Sequence, residues 1–260
     1  MRIAVLATPR SGSHAFVSTR PLLDKYKFYE IFNVEDLLLQ RDTETGNIRR
    51  ELLDERMEKW LNLNDYITAY DYKTPIMPNS FLRDYDDNLN TIMLSEYPDI
   101  SYIMSSYARR LENLCKYEDW CIKLMRYHGI PKDIMAAILD KSDIIYWLDR
   151  RDRVEQALSL TKMKLFPGVY HTPVAKTGIT YHCGNIDYDI FEDSCHGILL
   201  DKNWINCVMA EFDVRDKLVP IWYEDYDFSN ASLVKNDIHM NYDRNKCEYI
   251  WEEVASHYDI

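Results

Sequence analysis

Residues 2–14 read Arg-Ile-Ala-Val-Leu-Ala-Thr-Pro-Arg-Ser-Gly-Ser-His. Ile3 to Ala7 form an unbroken apolar run closed by Thr8-Pro9, the pattern of a strand buried on both faces of a parallel sheet rather than of an alternating surface strand. A loop and a helix over about 14–25 follow, and Lys27-Phe-Tyr-Glu-Ile-Phe32 reads as a second strand. Between strand and helix, residues 8–14 supply what an anion site requires. Backbone N–H groups of the turn and helix start converge, Gly12 permits close approach, Arg10 brings a fork of charged donors, and Ser11 and Ser13 add hydroxyls. An ordinary Ser-capped helix after a strand has the same local pattern.

The alternation continues outward. Ile48, Leu52, Leu53, Met57, Trp60 and Leu61 share one face of a helix, as do Ile103, Tyr107, Leu111 and Leu114. Residues 120–125 predict a strand, 131–140 a short helix begun by Pro131, and 144–148 a second buried strand. The spacing of Val154, Leu158, Thr161 and Leu165 predicts a helix over 152–165. The stretch 166–186, with three glycines and two prolines, reads as a mobile connection and a candidate lid, or as a bland surface loop. A long helix over 188–213, a strand at 218–223 and a last helix near 244–257 complete the chain, and Pro220 makes that strand either an edge strand or an irregular one. Strands alternating with helices imply one α/β domain over 1–260 with a mainly parallel central sheet flanked by helices.

Composition narrows the chemistry. The 260 residues include only 7 glycines, against about 18 at average usage, and neither G-x-G-x-x-G nor G-x-x-x-x-G-K-[ST] can be written from their positions. A standard dinucleotide fold and a standard P-loop NTPase are therefore disfavoured. The net charge of −12 is the wrong field for nucleic acid, so an anionic ligand needs a local cationic pocket. No apolar run approaches the roughly 18 residues of a membrane span, and the first apolar run is short for a secretory signal. The expectation is a soluble cytoplasmic protein, in a host's cytoplasm if the frequent Asp, Asn, Ile and Tyr reflect a virus of bacteria. The six cysteines contain no C-x-x-C and read as thiols. No metal site is expected: the seven histidines form no HExxH, and His171 and His182 in the connection read as exposed rather than catalytic.

A second constellation, Asp149-Arg150-Arg151-Asp152-Arg153, follows the strand 144–148, with Ser159 eight residues beyond Arg151. Carboxyl ends of parallel strands share one edge, so this basic cluster can face the first loop across a crevice, and two anion sites there suit a ligand phosphorylated at both ends. Eight helical residues turn about 80° and rise about 12 Å, so Arg151 reaches Ser159's ligand only by folding along the helix. A solvated helix start, with the arginines paired to Asp149, Asp152 and Glu155, is the alternative.

Taken together, the two stretches resemble a family. Thr-Pro-Arg-Ser-Gly-Ser at 8–13 looks like the 5′-phosphosulfate loop of sulfotransferases in its arginine form, and Arg-Arg-Asp-Arg-Val-Glu-Gln-Ala-Leu-Ser at 150–159 looks like their 3′-phosphate motif. The bacterial trehalose 2-sulfotransferase group is the nearest likeness, with Cys-Ile-Lys-Leu-Met at 121–125 and Tyr-Glu-Asp at 223–225 similar to further segments. The resemblance implies a P-loop-like three-layer fold and the donor 3′-phosphoadenosine 5′-phosphosulfate (PAPS), leaving adenosine 3′,5′-bisphosphate (PAP) as product. By that resemblance Arg10, Ser11, Gly12, Ser13 and His14 hold the 5′-phosphosulfate, and Arg151 and Ser159 hold the 3′-phosphate. Arg10 would act in catalysis, and Glu30 resembles the proposed acceptor base, though a strand-end carboxylate reads the same. His14 departs from the family's usual Thr or Ser and is either a proton carrier near the leaving group or a packed helix residue. Tyr223-Glu224-Asp225 either orients the basic groups, lines the nucleotide pocket or caps a turn. Sulfuryl carries less charge than a γ-phosphoryl group, so fixed donors suffice and no metal is expected. The implied acceptor is a small hydroxylated molecule, a carbohydrate or glycolipid, with a homodimer compatible. A nucleotide or nucleoside kinase, which would need magnesium and a lysine at Arg10, and a non-catalytic nucleotide-binding protein are the competing readings.

Overall fold

The structure, a computed structural model, describes residues 1–13, 16, 32, 100–128, 130–166, 180–226 and 237–258. Its centre is β1 (Arg2–Ala7), with β2 (Trp120–Leu124) on one side and β3 (Ile144–Asp149) on the other. Beyond β3 lies β5 (Leu218–Trp222), so the order is β2-β1-β3-β5 and every pairing is parallel. Five described helices accompany it: α1 (Ile100–Leu114), α2 (Lys132–Lys141), α3 (Arg153–Leu165), α4 (Tyr188–Phe212) and α5 (Arg244–Ala255).

The apolar run of β1 explains its central place, because both of its faces are covered. Ile3, Val5 and Ala7 pack with Phe16, Cys121, Met125, Tyr146 and Leu148 on one side. Ala4 and Leu6 pack on the other with Tyr107 and Leu114 of α1, Ile134 and Ile138 of α2, and Ile205 and Val208 of α4. Burial of each Ile, Val, Leu, Phe or Met here contributes roughly 1.5–3 kcal/mol, and the result is the expected three-layer α/β arrangement. Pro220 sits in β5, at the end of the strand order, where its missing N–H costs no ladder bond.

The stretch 166–186 needs a correction. Its second half is a strand, β4 (Thr180–Asn185), which pairs in parallel with β6 (Asp237–Asn241) in a separate two-stranded sheet. β4 has no clear apolar alternation, β6 alternates as Asp-Ile-His-Met-Asn over only five residues, and each is specified by a partner more than fifty residues away. Ile238 and Met240 of β6 join Val154, Ala157 and Leu158 of α3, Phe191, Cys195 and Ile198 of α4, and Cys247 and Val254 of α5 in a further core cluster. α4 thus serves both cores, its first half here and its second half under the main sheet.

The expected helices over 14–25 and 48–61, the strand over 27–32, and residues 167–179 lie outside the described residues, except that Phe16 is helical and Phe32 is a buried turn residue stacked on Tyr107. His14 and Glu30 also lie outside them.

Candidate active site

Ala7 stands opposite Leu148, and Leu148 opposite Ile221, so the segments after β1, β3 and β5 leave the sheet on one edge. At Thr8 the first segment turns sharply: Ser11 donates to the Thr8 carbonyl from its backbone N–H at 3.3 Å and from its hydroxyl at 2.8 Å. Arg10 and Gly12 take left-handed backbone conformations, with φ of 61° and 80°. Phe16 N–H then donates to the Gly12 carbonyl at 2.9 Å, which opens a helix at Ser13. The first N–H groups of such a helix have no intrahelical acceptor, so the loop ends in donors suited to an anion.

Two side chains of α3, one turn apart, grip this loop. Gln156 donates from Nε2 to Thr8 Oγ1 at 2.7 Å and to the Pro9 carbonyl at 2.8 Å, while its own Oε1 is buried with no partner. Arg10 Nε donates to Ser159 Oγ at 2.9 Å. The i, i+3 spacing of Gln156 and Ser159 puts both on one face of the helix. The two motifs are therefore joined directly, and the hydroxyl of Ser159, which accepts from Arg10, retains a proton to donate.

The second motif is held by acids. Asp149, buried at the end of β3, accepts the Arg153 fork at 2.7 and 3.1 Å and lies 3.3 Å from Lys202 Nζ of α4. Glu224 accepts the backbone N–H groups of Arg151 and Asp152, each at 3.0 Å. Burial raises the Glu224 carboxyl, but these donors together with Arg150 leave it below its ordinary value. Arg151 places both arms of its guanidinium on Asp225 at 2.5 Å, and that bond lowers the Asp225 carboxyl. Arg150 lies over the Tyr223 ring at 4.6 Å, and Arg151 and Arg153 lie over Trp222 at 5.2 and 5.8 Å. Tyr223-Glu224-Asp225 thus orients the basic groups.

α4 crosses the same edge. Asp201 is buried and accepts from Arg126 Nε, just past β2, at 2.6 Å. Burial pushes its carboxyl up to about 6 against the pull of Arg126. Burial likewise brings the neighbouring Lys202 ammonium down to about 8, with Asp149 opposing.

Of the residues singled out in sequence, Arg10, Ser11, Gly12, Ser13 and Ser159 come together. Arg151 is turned to Asp225 at the exposed start of α3. Gln156, Arg126, Asp201 and Lys202 were not read as site residues. Asp201 and Lys202 carried a signal, since they fall between Ile198 and Ile205 on the helix face that is buried. No family model, curated protein or solved structure matches the chain. Among the described residues no helix is long and apolar enough to cross a membrane, and no group of three or more His, Cys, Asp or Glu is placed to hold a metal ion.

Proposed function

We propose that this chain is a sulfotransferase that takes PAPS as donor substrate and passes its sulfuryl group to a hydroxyl or amine of a small acceptor, a carbohydrate or glycolipid. The observation that carries the reading is the Arg10–Ser159 hydrogen bond, which ties the 5′-phosphosulfate-like loop to the 3′-phosphate-like motif across 149 residues. The residues present fit such a donor. Arg10 with the helix-start amides forms a donor set for an anion, and Gln156 holds the loop that carries them.

PAPS supplies a sulfuryl group on a phosphate leaving group, so negative charge grows on the 5′-phosphate as transfer proceeds in line. The chain answers with fixed donors at that place: Arg10, the amides of Gly12 and Ser13, and the hydroxyl of Ser13. Ser159 positions Arg10 and can donate its own proton outward. Arg151 exchanges Asp225 for the 3′-phosphate; both are half-exposed, at 51% and 56%, so the released carboxylate rehydrates at little cost. The resemblance assigns Glu30 to the acceptor proton, and Glu30→Gln is expected to bind PAP like the parent while transferring sulfate at least about 100-fold more slowly. Unchanged turnover would remove Glu30 from the mechanism.

Calorimetry with PAP and with ATP, with and without magnesium, tests the donor class. PAP is expected to bind without magnesium and more tightly than ATP. A preference for magnesium-ATP would point to phosphoryl transfer and sink the proposal, and PAP binding without sulfation of any acceptor would leave a nucleotide-binding protein.

A further inference from the structure

We infer that His182 and His239 form a two-imidazole site for a transition-metal ion on the solvent face of the small sheet. This rests on a part of the molecule separate from the donor site. β4 and β6 run parallel, and their register sets His182 directly opposite His239. Both side chains are exposed. Their rings lie 5.3 Å apart between centroids and 16° from parallel. The frame beneath them is fixed, because Ile238 and Met240, on either side of His239, are buried in the α3–α4–α5 cluster. Strand alternation therefore commits His239 to the opposite, solvent-facing side. The ladder is continued past the pair by Ile186 N–H donating to the Asn241 carbonyl at 2.9 Å.

Two imidazoles ligating one tetrahedral ion through bonds of roughly 2.0–2.1 Å hold their centroids about 5 Å apart. The observed separation of 5.3 Å meets that distance, with the rings stacked 16° from parallel. Neutral imidazole selects zinc, copper or nickel over magnesium and calcium. Among the described residues no third His, Cys, Asp or Glu completes a cluster with the pair.

The test is calorimetric titration of the whole chain with zinc chloride. The parent is expected to take up one equivalent, and His182→Asn and His239→Asn are each expected to weaken uptake at least about tenfold. Both substitutions fall on exposed side chains, so unchanged melting curves will show that the fold is kept. His196→Asn, a half-buried residue bonded to Tyr258 at 2.9 Å, should bind zinc as the parent does. Copper bound to the parent should give a paramagnetic resonance spectrum with two coordinated nitrogens, lost in either variant. The inference is overturned if the parent binds no zinc at about 100 µM or if either exposed-histidine variant titrates like the parent.

Discussion

Gly12 stands at φ 80°, in the left-handed region where a β-carbon meets the following carbonyl. Gly12→Val is expected to cost about 1–2 kcal/mol of stability and to abolish PAP binding, since the turn that aims the amides depends on that conformation. Calorimetry is the measurement, and parental affinity in the variant would refute the phosphate loop. Arg10 takes a similar conformation, φ 61°, without glycine's freedom, and the bond to Ser159 helps hold it there. Ser159→Ala removes that acceptor from the Arg10 side chain. The expected result is PAP affinity reduced about tenfold and stability lowered by about 1 kcal/mol, read by titration and urea unfolding. Gly12's importance was legible because glycine is so scarce in this chain. The conformation of Arg10 was not, because no local rule puts a non-glycine residue there.

At the level of elements, α3 joins the two motifs, and Gln156 is the second point of its grip. Gln156→Leu removes both donors to the loop and leaves the buried Thr8 hydroxyl and the Pro9 carbonyl short of a partner. A loss of about 1–3 kcal/mol in urea unfolding is expected, with weaker PAP binding; wild-type stability would show that the tether carries no energy. Arg244 offers a contrast. It links α5 to Asp152 at the start of α3, but the pair is exposed at 42% and 37%, so Arg244→Ala should cost less than about 1 kcal/mol. The long periodic helices were readable from sequence because an apolar face of period 3.6 repeats within each of them. β4 was not, because Thr-Tyr-His-Cys-Gly-Asn has neither that period nor a clear alternation.

Across the whole molecule, a chain of net charge −12 gathers Arg10, Arg126, Arg150, Arg151, Arg153 and Lys202 at one sheet edge, where Asp149, Asp201, Glu224 and Asp225 pair with five of them. Burying Asp201 and Lys202 there has a stability cost that pH reveals. The Asp201 carboxyl is raised from its ordinary value to about 6, so its contribution is fullest below the ordinary carboxylate range and is lost as pH rises through about 6. Lys202 is lowered to about 8, so its contribution is present above the ordinary lysine value and lost as pH falls through about 8. Of these two groups only Asp201 titrates between pH 7 and pH 5, and the parent should gain about 1 kcal/mol over Asp201→Asn on acidification. Parallel stability curves for the two proteins would dispose of this account. By itself the sequence determined the β1 strand, its loop and the strand–helix alternation, because apolar runs and glycine or proline punctuation act over a few residues. Only the tertiary structure decided that Ser159 meets Arg10, that Arg151 turns to Asp225 and that β4 pairs with β6. Those choices depend on groups far apart in the chain, whose encounter is settled by how the layers pack and not by local pattern.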